Sequence, residues 1–263
     1  METIIVEVRD TIAIVKLNRP NVLNSMTEQM AVDARQALAD IRQDNTIRAM
    51  ILTAEGRSFC AGAELNDELS GGDEQHSAGS LLNATMRDHT NPWIQDLYNM
   101  PIPVVVAING VAAGAGVGLA LAGDISIAAN SATLVLTFSA KLGLIPDVGV
   151  TWQLSRRIGL ARATAAALLG DKISAQQAVE WGLIWQSVDD DKLMEVALST
   201  ANRLAKMPRH AALELRQALH HAQTMTLEAQ LDYERQRQCV LIEKPEFKEG
   251  VAAFKEKRAP DFR

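Results

Sequence analysis

The sequence predicts an α/β fold with a helical subdomain at its C-terminal end. In the first half of the chain, short apolar strand patterns alternate with stretches in which apolar residues recur at helical spacing. From about residue 148 onward the patterns are almost entirely helical. Alternation followed by a helical tail is typical of a sheet covered by helices, with further helices packed at one end.

The N-terminal part predicts a hairpin, a helix and a strand. Apolar residues alternate or cluster over residues 4–8 and 12–17 on either side of a turn, which is the pattern of a β-hairpin. Ser25 and Glu28 form a capping box, which predicts the start of a helix of about four turns. The apolar run 49–53 predicts a short buried strand.

The rest of the chain continues this alternation. Residues 80–100 are predicted to be helical up to Pro101, and a second capping box, Ser174 with Gln177, begins a later helix. The polar, Gly/Ser-rich segment 66–80 is predicted to be a mobile loop. Strands are predicted at 104–108, 125–129, 133–138 and 185–188, and the last helices at 190–206, 209–222, 225–242 and 246–257.

The composition excludes several classes of protein. With 263 residues and 48% hydrophobic content, the chain can bury one large core. Its formal net charge is −6, and it has no basic stripe of the kind that binds nucleic acid. Cys60 and Cys239 are too few for a disulfide scaffold, and the sequence shows neither a signal peptide nor an apolar run of about 18 residues. We therefore expect a soluble, cytoplasmic protein that binds neither nucleic acid nor membrane.

Common metal and nucleophile motifs are missing. The sequence contains no Cys-x-x-Cys, no His-Glu-x-x-His and no Gly-x-Ser-x-Gly motif. Its five histidines lack the spacing of metal ligands. We therefore predict no metal site.

The small-residue segment 114–118 opens a helix shortly after a strand. A helix start offers unpaired N–H groups and a positive dipole end, so it suits an anion or an oxyanion, although close helix–strand packing would favour the same residues. A dinucleotide site should carry an acidic residue about 20 positions later. None lies between Asp124 and Asp147, which disfavours that site.

A second loop, residues 59–65, also follows a short strand. Its small residues can present backbone N–H groups, although a surface turn would have the same composition. If the two loops converge on one oxygen, they form an oxyanion hole. Asp147, which follows Pro146, would ordinarily be a helix cap or turn former, but in an apolar pocket it would be a base.

Four segments resemble, in the same order, motifs of a known protein family. They are residues 17–24, 59–65, 106–116 and 254–260. They resemble, in turn, the CoA-contacting loop, the two oxyanion-hole segments and the closing helix of the enoyl-CoA hydratase/isomerase (crotonase) family. The resemblance runs through nearly the whole chain. It implies a spiral ββα core over residues 1–195 and a helical trimerisation region over residues 196–263.

The resemblance also implies a substrate and an assembly. The substrate would be an acyl-CoA thioester, and because coenzyme A is part of that substrate, no separate cofactor is expected. The subunits would form a trimer or a dimer of trimers. The backbone N–H groups of Ala63 and Ala115 would bind the thioester oxygen. Coenzyme A would contact Val22, Ala61, Ala63, Glu64, Leu65, Ala115 and Lys257.

Departures from the family pattern favour an isomerase. Family hydratases use two glutamates, at positions that correspond here to Gly118 and Ser139. Asp147 resembles the single acidic residue of members that shift double bonds, and it would move the proton of a ring epoxide or of a linear 3-enoyl chain. A hydratase with atypical residues, whose nearest spare carboxylate is Glu64, is one alternative. A non-catalytic member that binds CoA or RNA is another, against which the acidic net charge argues.

Overall fold

Two β-sheets flanked by helices form the fold. The computed structural model describes residues 1–65, 71 and 76–262. The strands are β1 (Ile4–Arg9), β2 (Ile12–Leu17), β3 (Ala49–Ala54), β4 (Ser58–Cys60), β5 (Val104–Ile108), β6 (Val111–Ala113), β7 (Ile125–Ala129), β8 (Thr133–Val135), β9 (Lys172–Ser174) and β10 (Gln186–Val188).

Helices follow and separate these strands. The α-helices are α1 (Glu28–Gln43), α2 (Ala78–Thr85), α3 (Asn91–Tyr98), α4 (Ala115–Leu121), α5 (Val150–Leu169), α6 (Ala175–Glu180), α7 (Leu193–Leu204), α8 (Ala211–Ala222), α9 (Leu227–Leu241) and α10 (Pro245–Glu256). Shorter helical turns are the 3-10 turns Pro20–Val22 and Asp190–Lys192 and the π-helical turns Met86–Thr90 and Phe138–Leu142.

The larger sheet has six strands in the order β1-β2-β3-β5-β7-β10, and the smaller has four in the order β4-β6-β8-β9. Among the strands of the described residues, the pairs β1–β2 and β8–β9 are antiparallel and the other pairs are parallel. The chain passes from a strand of the larger sheet to one of the smaller sheet three times, from β3 to β4, from β5 to β6 and from β7 to β8. This repeated ββα path confirms the predicted α/β fold and spiral core.

Burial explains the composition of the central strands. All residues of β3 and β5 are buried, and the β5 sequence Val-Val-Val-Ala-Ile is apolar throughout. Strands of parallel sheets are covered on both faces, so they carry continuous apolar runs. Helix α1 adds a buried stripe at helical spacing, which includes Met30, Ala34, Leu38 and Ile41.

The start of α1 differs from the prediction. Thr27, and not Ser25, is the N-cap, and its hydroxyl accepts a hydrogen bond from the N–H of Met30. Ser25 is instead buried, and its carbonyl oxygen accepts a hydrogen bond from Arg19. The capping-box prediction placed the helix correctly but chose the wrong cap.

Three further predictions, for a strand, a loop and a domain boundary, differ in how far they match the structure. The strand predicted over residues 133–138 ends at Val135, because the π-helical turn Phe138–Leu142 follows. Of the loop predicted at 66–80, residues 66–70 and 72–75 lie outside the described part, whereas α2 already begins at Ala78. The domain boundary predicted after residue 195 falls inside α7, a helix that packs against β3 and β5. That boundary stays a prediction.

Candidate active site

One cavity of about 360 Å³ lies where α1, the segment after β4, α4 and the loop before α5 meet. It contains three residues that the sequence assigned to catalysis, namely Ala63, Ala115 and Asp147, and also Glu64. Its other lining residues are Met26, Thr27, Glu28, Leu81, Leu82, Ala84, Thr85, Met86, Thr90 and Val148.

Gly62 allows the two small-residue loops to approach each other. A Cβ atom at this position would lie 2.8 Å from the carbonyl oxygen of Ala113 and 3.4 Å from the nitrogen of Ala115. Its φ of +101° also lies in a region that side chains disfavour. The segment after β4 and the start of α4 are therefore adjacent, as the sequence predicted for converging loops.

The backbone amides of Ala63 and Ala115 are free to bind a ligand. Met26 bridges the loop around Ala63, but it does so through Gly62 O and the N–H of Glu64, at 2.8 and 2.9 Å. Ala115 is the first residue of α4, where an N–H has no acceptor within the helix. Neither amide donates a backbone hydrogen bond within the described residues. Two unpaired donors lining one cavity can stabilise an oxyanion.

An unusual backbone turn holds Asp147 at the cavity. Val148 has a φ of 52° and Gly149 a φ of 76°, and the N–H of Val150 donates to the carbonyl oxygen of Asp147 at 2.8 Å. A positive φ is rare for a β-branched residue such as valine, and such strain often occurs at functional sites. The turn lies directly before α5 and places the Asp147 carboxyl group among the cavity-lining residues.

The environment of Asp147 suits a base. Asp147 is half-buried, and its Oδ1 is buried without a hydrogen-bond partner. Burial raises the pKa of the Asp147 carboxyl group above its ordinary value, because removal from water disfavours the charged form. A carboxylate with a raised pKa accepts a proton more readily than an exposed one.

Neither of the two positions that the resemblance assigns to hydratase glutamates holds a carboxylate, and Gly118 has no room for one. A Cβ atom on Gly118 would lie 2.5 Å from the carbonyl oxygen of Val148 and 2.6 Å from its Cγ1. Ser139 lies in the π-helical turn before Asp147, where its hydroxyl donates to the carbonyl oxygen of Leu144 at 3.0 Å. Of positions 118, 139 and 147, therefore, only position 147 carries a carboxylate.

The residues predicted to contact coenzyme A are spread more widely. Ala61 lies beside the first loop, since its N–H donates to Leu23 O at 3.0 Å. The side chains of Val22 and Leu65 are 42% and 69% exposed. Lys257 is exposed at the C-terminal cap of α10. None of these four residues lines the cavity described above.

Glu64 lines the cavity but is already paired. Its Oε2 lies 2.7 Å from Nη1 of Arg19, which also donates to the carbonyl oxygen of Ser25. The ion pair occupies Oε2 of this carboxylate and holds the side chain against Arg19. The arrangement weakens the alternative in which Glu64 supports hydration.

The sequence did not predict the polar residues Glu28, Thr85 and Thr90 in the cavity. Glu28 was interpreted only as part of a capping box, and acidic residues are common in the first turn of any helix. Thr85 and Thr90 belong to a helical stretch without a motif. Only the fold brings these residues together.

Comparison with known proteins identifies the family of this chain. Residues 7–263 match the family described as Enoyl-CoA hydratase/isomerase. This chain belongs to the enoyl-CoA hydratase/isomerase family. The 1,2-epoxyphenylacetyl-CoA isomerase of Escherichia coli K12 is 46% identical over 262 residues, which cover 100% of this chain and 98% of the relative.

Other family members are similar along their whole length. A probable enoyl-CoA hydratase of Rhodobacter capsulatus is 40% identical over 260 residues, which cover 99% of this chain and 97% of the relative. The crystal structure of an enoyl-CoA hydratase from Polaromonas sp. JS666 superposes with a TM-score of 0.91 at 30% identity and covers 99% of both chains. The protein is therefore an enzyme of the enoyl-CoA hydratase/isomerase family with the crotonase fold.

Metal-binding clusters and membrane-spanning helices are both absent from the described part of the chain. Across residues 1–65, 71 and 76–262, no cluster of three or more His, Cys, Asp or Glu side chains could hold a metal ion. In the same part of the chain, no helix combines the length and apolarity needed to cross a bilayer.

Proposed function

We propose that this enzyme is an acyl-CoA isomerase. The N–H groups of Ala63 and Ala115 bind the thioester oxygen, and Asp147 moves the proton. Asp147 accepts a proton from the carbon next to the thioester carbonyl, and negative charge collects on the oxygen as the enolate forms. The Asp147 carboxylic acid then returns that proton to a carbon two bonds away, so the double bond shifts and no atom is gained or lost.

The observation that carries this proposal is the shared cavity of Asp147, Ala63 and Ala115. The buried, unpartnered Oδ1 of Asp147 and two unpaired amides are the parts that a proton transfer through an enolate requires. One donor in such a hole lowers the barrier by roughly 3–4 kcal/mol. A positioned base contributes about 10²- to 10⁴-fold in rate.

The relatives favour a ring substrate. The Escherichia coli relative at 46% identity is named 1,2-epoxyphenylacetyl-CoA isomerase, and the cavity of about 360 Å³ is compatible with a ring-sized acyl group. We therefore infer that a ring epoxide is the preferred acyl group. In its rearrangement to a seven-membered oxepin, the ring C–C bond bridged by the epoxide oxygen breaks as the double bonds shift, so no atom is gained or lost. A linear 3-enoyl chain would use the same three groups.

Hydration is less compatible with this site, although hydratases are among the relatives. Addition of water needs one group to activate water and another to protonate carbon. Glycine and serine stand at positions 118 and 139, and the nearby Glu64 is paired with Arg19.

The assembly and the CoA contacts follow from the same proposal. We infer a homotrimer or a dimer of trimers, because the C-terminal helices expose large apolar side chains such as Phe254, which is 85% exposed. Val22, Ala61, Glu64, Leu65 and Lys257 would then contact coenzyme A, in addition to the two amides. Both cysteines are free, which supports a reducing cytoplasm.

A panel of thioesters tests the function. Purified enzyme is assayed for conversion of 1,2-epoxyphenylacetyl-CoA and of a 3-enoyl-CoA, and for hydration of crotonyl-CoA. We expect isomerisation of the first two at much higher kcat/KM than hydration of the third. Efficient hydration without isomerisation would disprove the proposal.

A further inference from the structure

The cavity has a second polar surface that the proton transfer does not use. Thr27, Glu28, Thr85 and Thr90 line it, together with the residues that form the proposed catalytic site. Apart from Glu64, which is paired with Arg19, the remaining lining side chains are apolar, namely those of Met26, Leu81, Leu82, Ala84, Met86 and Val148. The three threonine hydroxyls are uncharged polar groups among apolar side chains, and a few such groups in a pocket fix the identity of the ligand.

The three hydroxyl groups are not equivalent. Thr85 donates its proton to the Glu28 carboxylate, whose other oxygen lies 3.8 Å from Nε2 of His89. The Thr85 hydroxyl can therefore only accept a further hydrogen bond. This contact also ties the end of α2 to the first turn of α1.

Thr27 and Thr90 keep their hydroxyl protons. The Thr27 oxygen accepts a hydrogen bond from the N–H of Met30 at 3.2 Å, so its own O–H is available to donate. The Thr90 hydroxyl makes no hydrogen bond to any other residue in the described part of the chain. Thr90 ends the π-helical turn Met86–Thr90, and such turns occur frequently at functional sites.

We propose that Thr27 and Thr90 form a recognition site for an ether or epoxide oxygen on the acyl group. The inference rests on the proposed function, which places the acyl group in this cavity. An ether oxygen can accept a hydrogen bond but cannot donate one, so it matches two free hydroxyl donors. A purely hydrocarbon acyl group would displace water from these hydroxyls and leave them unpaired, which disfavours its binding.

The test compares two ligands that differ in one atom. (Tetrahydropyran-2-yl)acetyl-CoA carries a ring oxygen where cyclohexylacetyl-CoA carries a methylene group, and neither contains a double bond to shift. Their dissociation constants are measured for the wild-type protein and for Thr90→Val, which keeps the shape and removes the hydroxyl. Thr90→Ser keeps the hydroxyl, and Thr164→Val makes the same exchange at an exposed site in α5 outside the cavity.

We expect wild-type protein to bind the ring ether roughly tenfold more tightly than the hydrocarbon. Thr90→Val should abolish most of this preference, whereas Thr90→Ser and Thr164→Val should retain it. A wild-type ratio near one, or a ratio that Thr90→Val leaves unchanged, would overturn the inference. Neither ligand can react, so the ratio of their dissociation constants can be measured whether or not the enzyme is an isomerase. The test of this inference is therefore separate from the thioester panel.

Discussion

Gly118 and Val148 are in direct van der Waals contact, with no room for a side chain at the glycine. A Cβ atom there would lie 2.5 Å from the carbonyl oxygen of Val148 and 2.6 Å from Cγ1. Helix α4, which begins with one proposed oxyanion donor, therefore supports the strained turn that carries Asp147. The same contact leaves no room for a glutamate at position 118 and lies next to the proposed base.

Substitution of Gly118 tests this contact. Gly118→Ala should reduce the free energy of unfolding by about 1–3 kcal/mol, because the added methyl group must displace Val148. Val148→Gly should relieve only the part of the clash made with the valine side chain, since the carbonyl oxygen at 2.5 Å remains, and it should permit a positive φ without strain. Chemical denaturation of both single variants and of the double variant measures the coupling. Additive effects would show that the two residues do not compete for space.

Asp147→Asn tests the proposed base. The variant should fold and should bind a saturated acyl-CoA with the wild-type dissociation constant. Its kcat for isomerisation should fall by about 10²- to 10⁴-fold, because the amide cannot accept the proton. Stopped assays with the best substrate of the panel, alongside circular dichroism and calorimetric titration, provide the measurements. Near-normal turnover would rule out Asp147 as the proton carrier.

The raised pKa of Asp147 makes its effect on stability depend on pH. A group whose pKa is higher in the folded state than in the unfolded state stabilises the fold at low pH, and that contribution is lost as pH rises through the folded-state pKa. At pH 7 the buried carboxylate is therefore unfavourable, and Asp147→Asn should raise Tm. The difference in Tm should disappear below the ordinary pKa of 3.8. A variant that melts lower than wild type at pH 7 would contradict this.

The same shift predicts the pH profile of activity. The base must be ionised to accept a proton, so kcat/KM should fall on the acidic side with an apparent pKa above 3.8. Initial rates measured across the acidic range locate this limb. A limb at or below the ordinary aspartate value would show that Asp147 is not buried in the active enzyme.

Gly62→Ala should damage the oxyanion hole. The new methyl group would meet Ala113 O at 2.8 Å and force the two loops apart, so kcat should fall by about 10²- to 10³-fold. Gly159→Ala is the matched control, since Gly159 has a φ of +74° but nothing within 4 Å of its Cβ position. Both variants carry backbone strain that can reduce the amount of folded protein. The kcat of each variant is therefore calculated per mole of folded protein before the two are compared. Equal losses of kcat would contradict a special role for Gly62.

Phe254→Asp tests the assembly. The side chain is 85% exposed in a single subunit, and burial of an unpaired aspartate between subunits is costly. Sedimentation velocity should show three or six times the mass of one chain for wild-type protein and a shift to smaller species for the variant. A wild-type monomer would exclude the proposed trimer.

The sequence predicted the large elements because their patterns are local. The hairpin, β3, β5, β7 and the C-terminal helices each follow from apolar spacing within one segment. The three-residue strands β4 and β6 are too short to show a period, so the sequence does not predict them. The cavity side chains Thr85 and Thr90 could not be assigned, because only tertiary packing brings them beside Asp147.

Within the site, small residues were more informative than charged ones. Glycine and alanine at 61–63 and 114–116 indicate two backbone surfaces from the sequence alone. The turn at Val148 could not be predicted, since valine disfavours a positive φ and gives no sign of one. That turn decides how deeply Asp147 is buried.

Asn24 links the first loop to the strand that leads into Ala63. Its fully buried side chain accepts from the N–H of Arg19 at 2.7 Å and donates to the carbonyl oxygens of Glu55 and Ser58, both at 2.9 Å. The Asn24 amide therefore joins two segments into one rigid unit. One segment is proposed to contact coenzyme A, and the other is proposed to polarise the thioester carbonyl. Binding of coenzyme A and activation of the thioester would therefore depend on the same rigid unit.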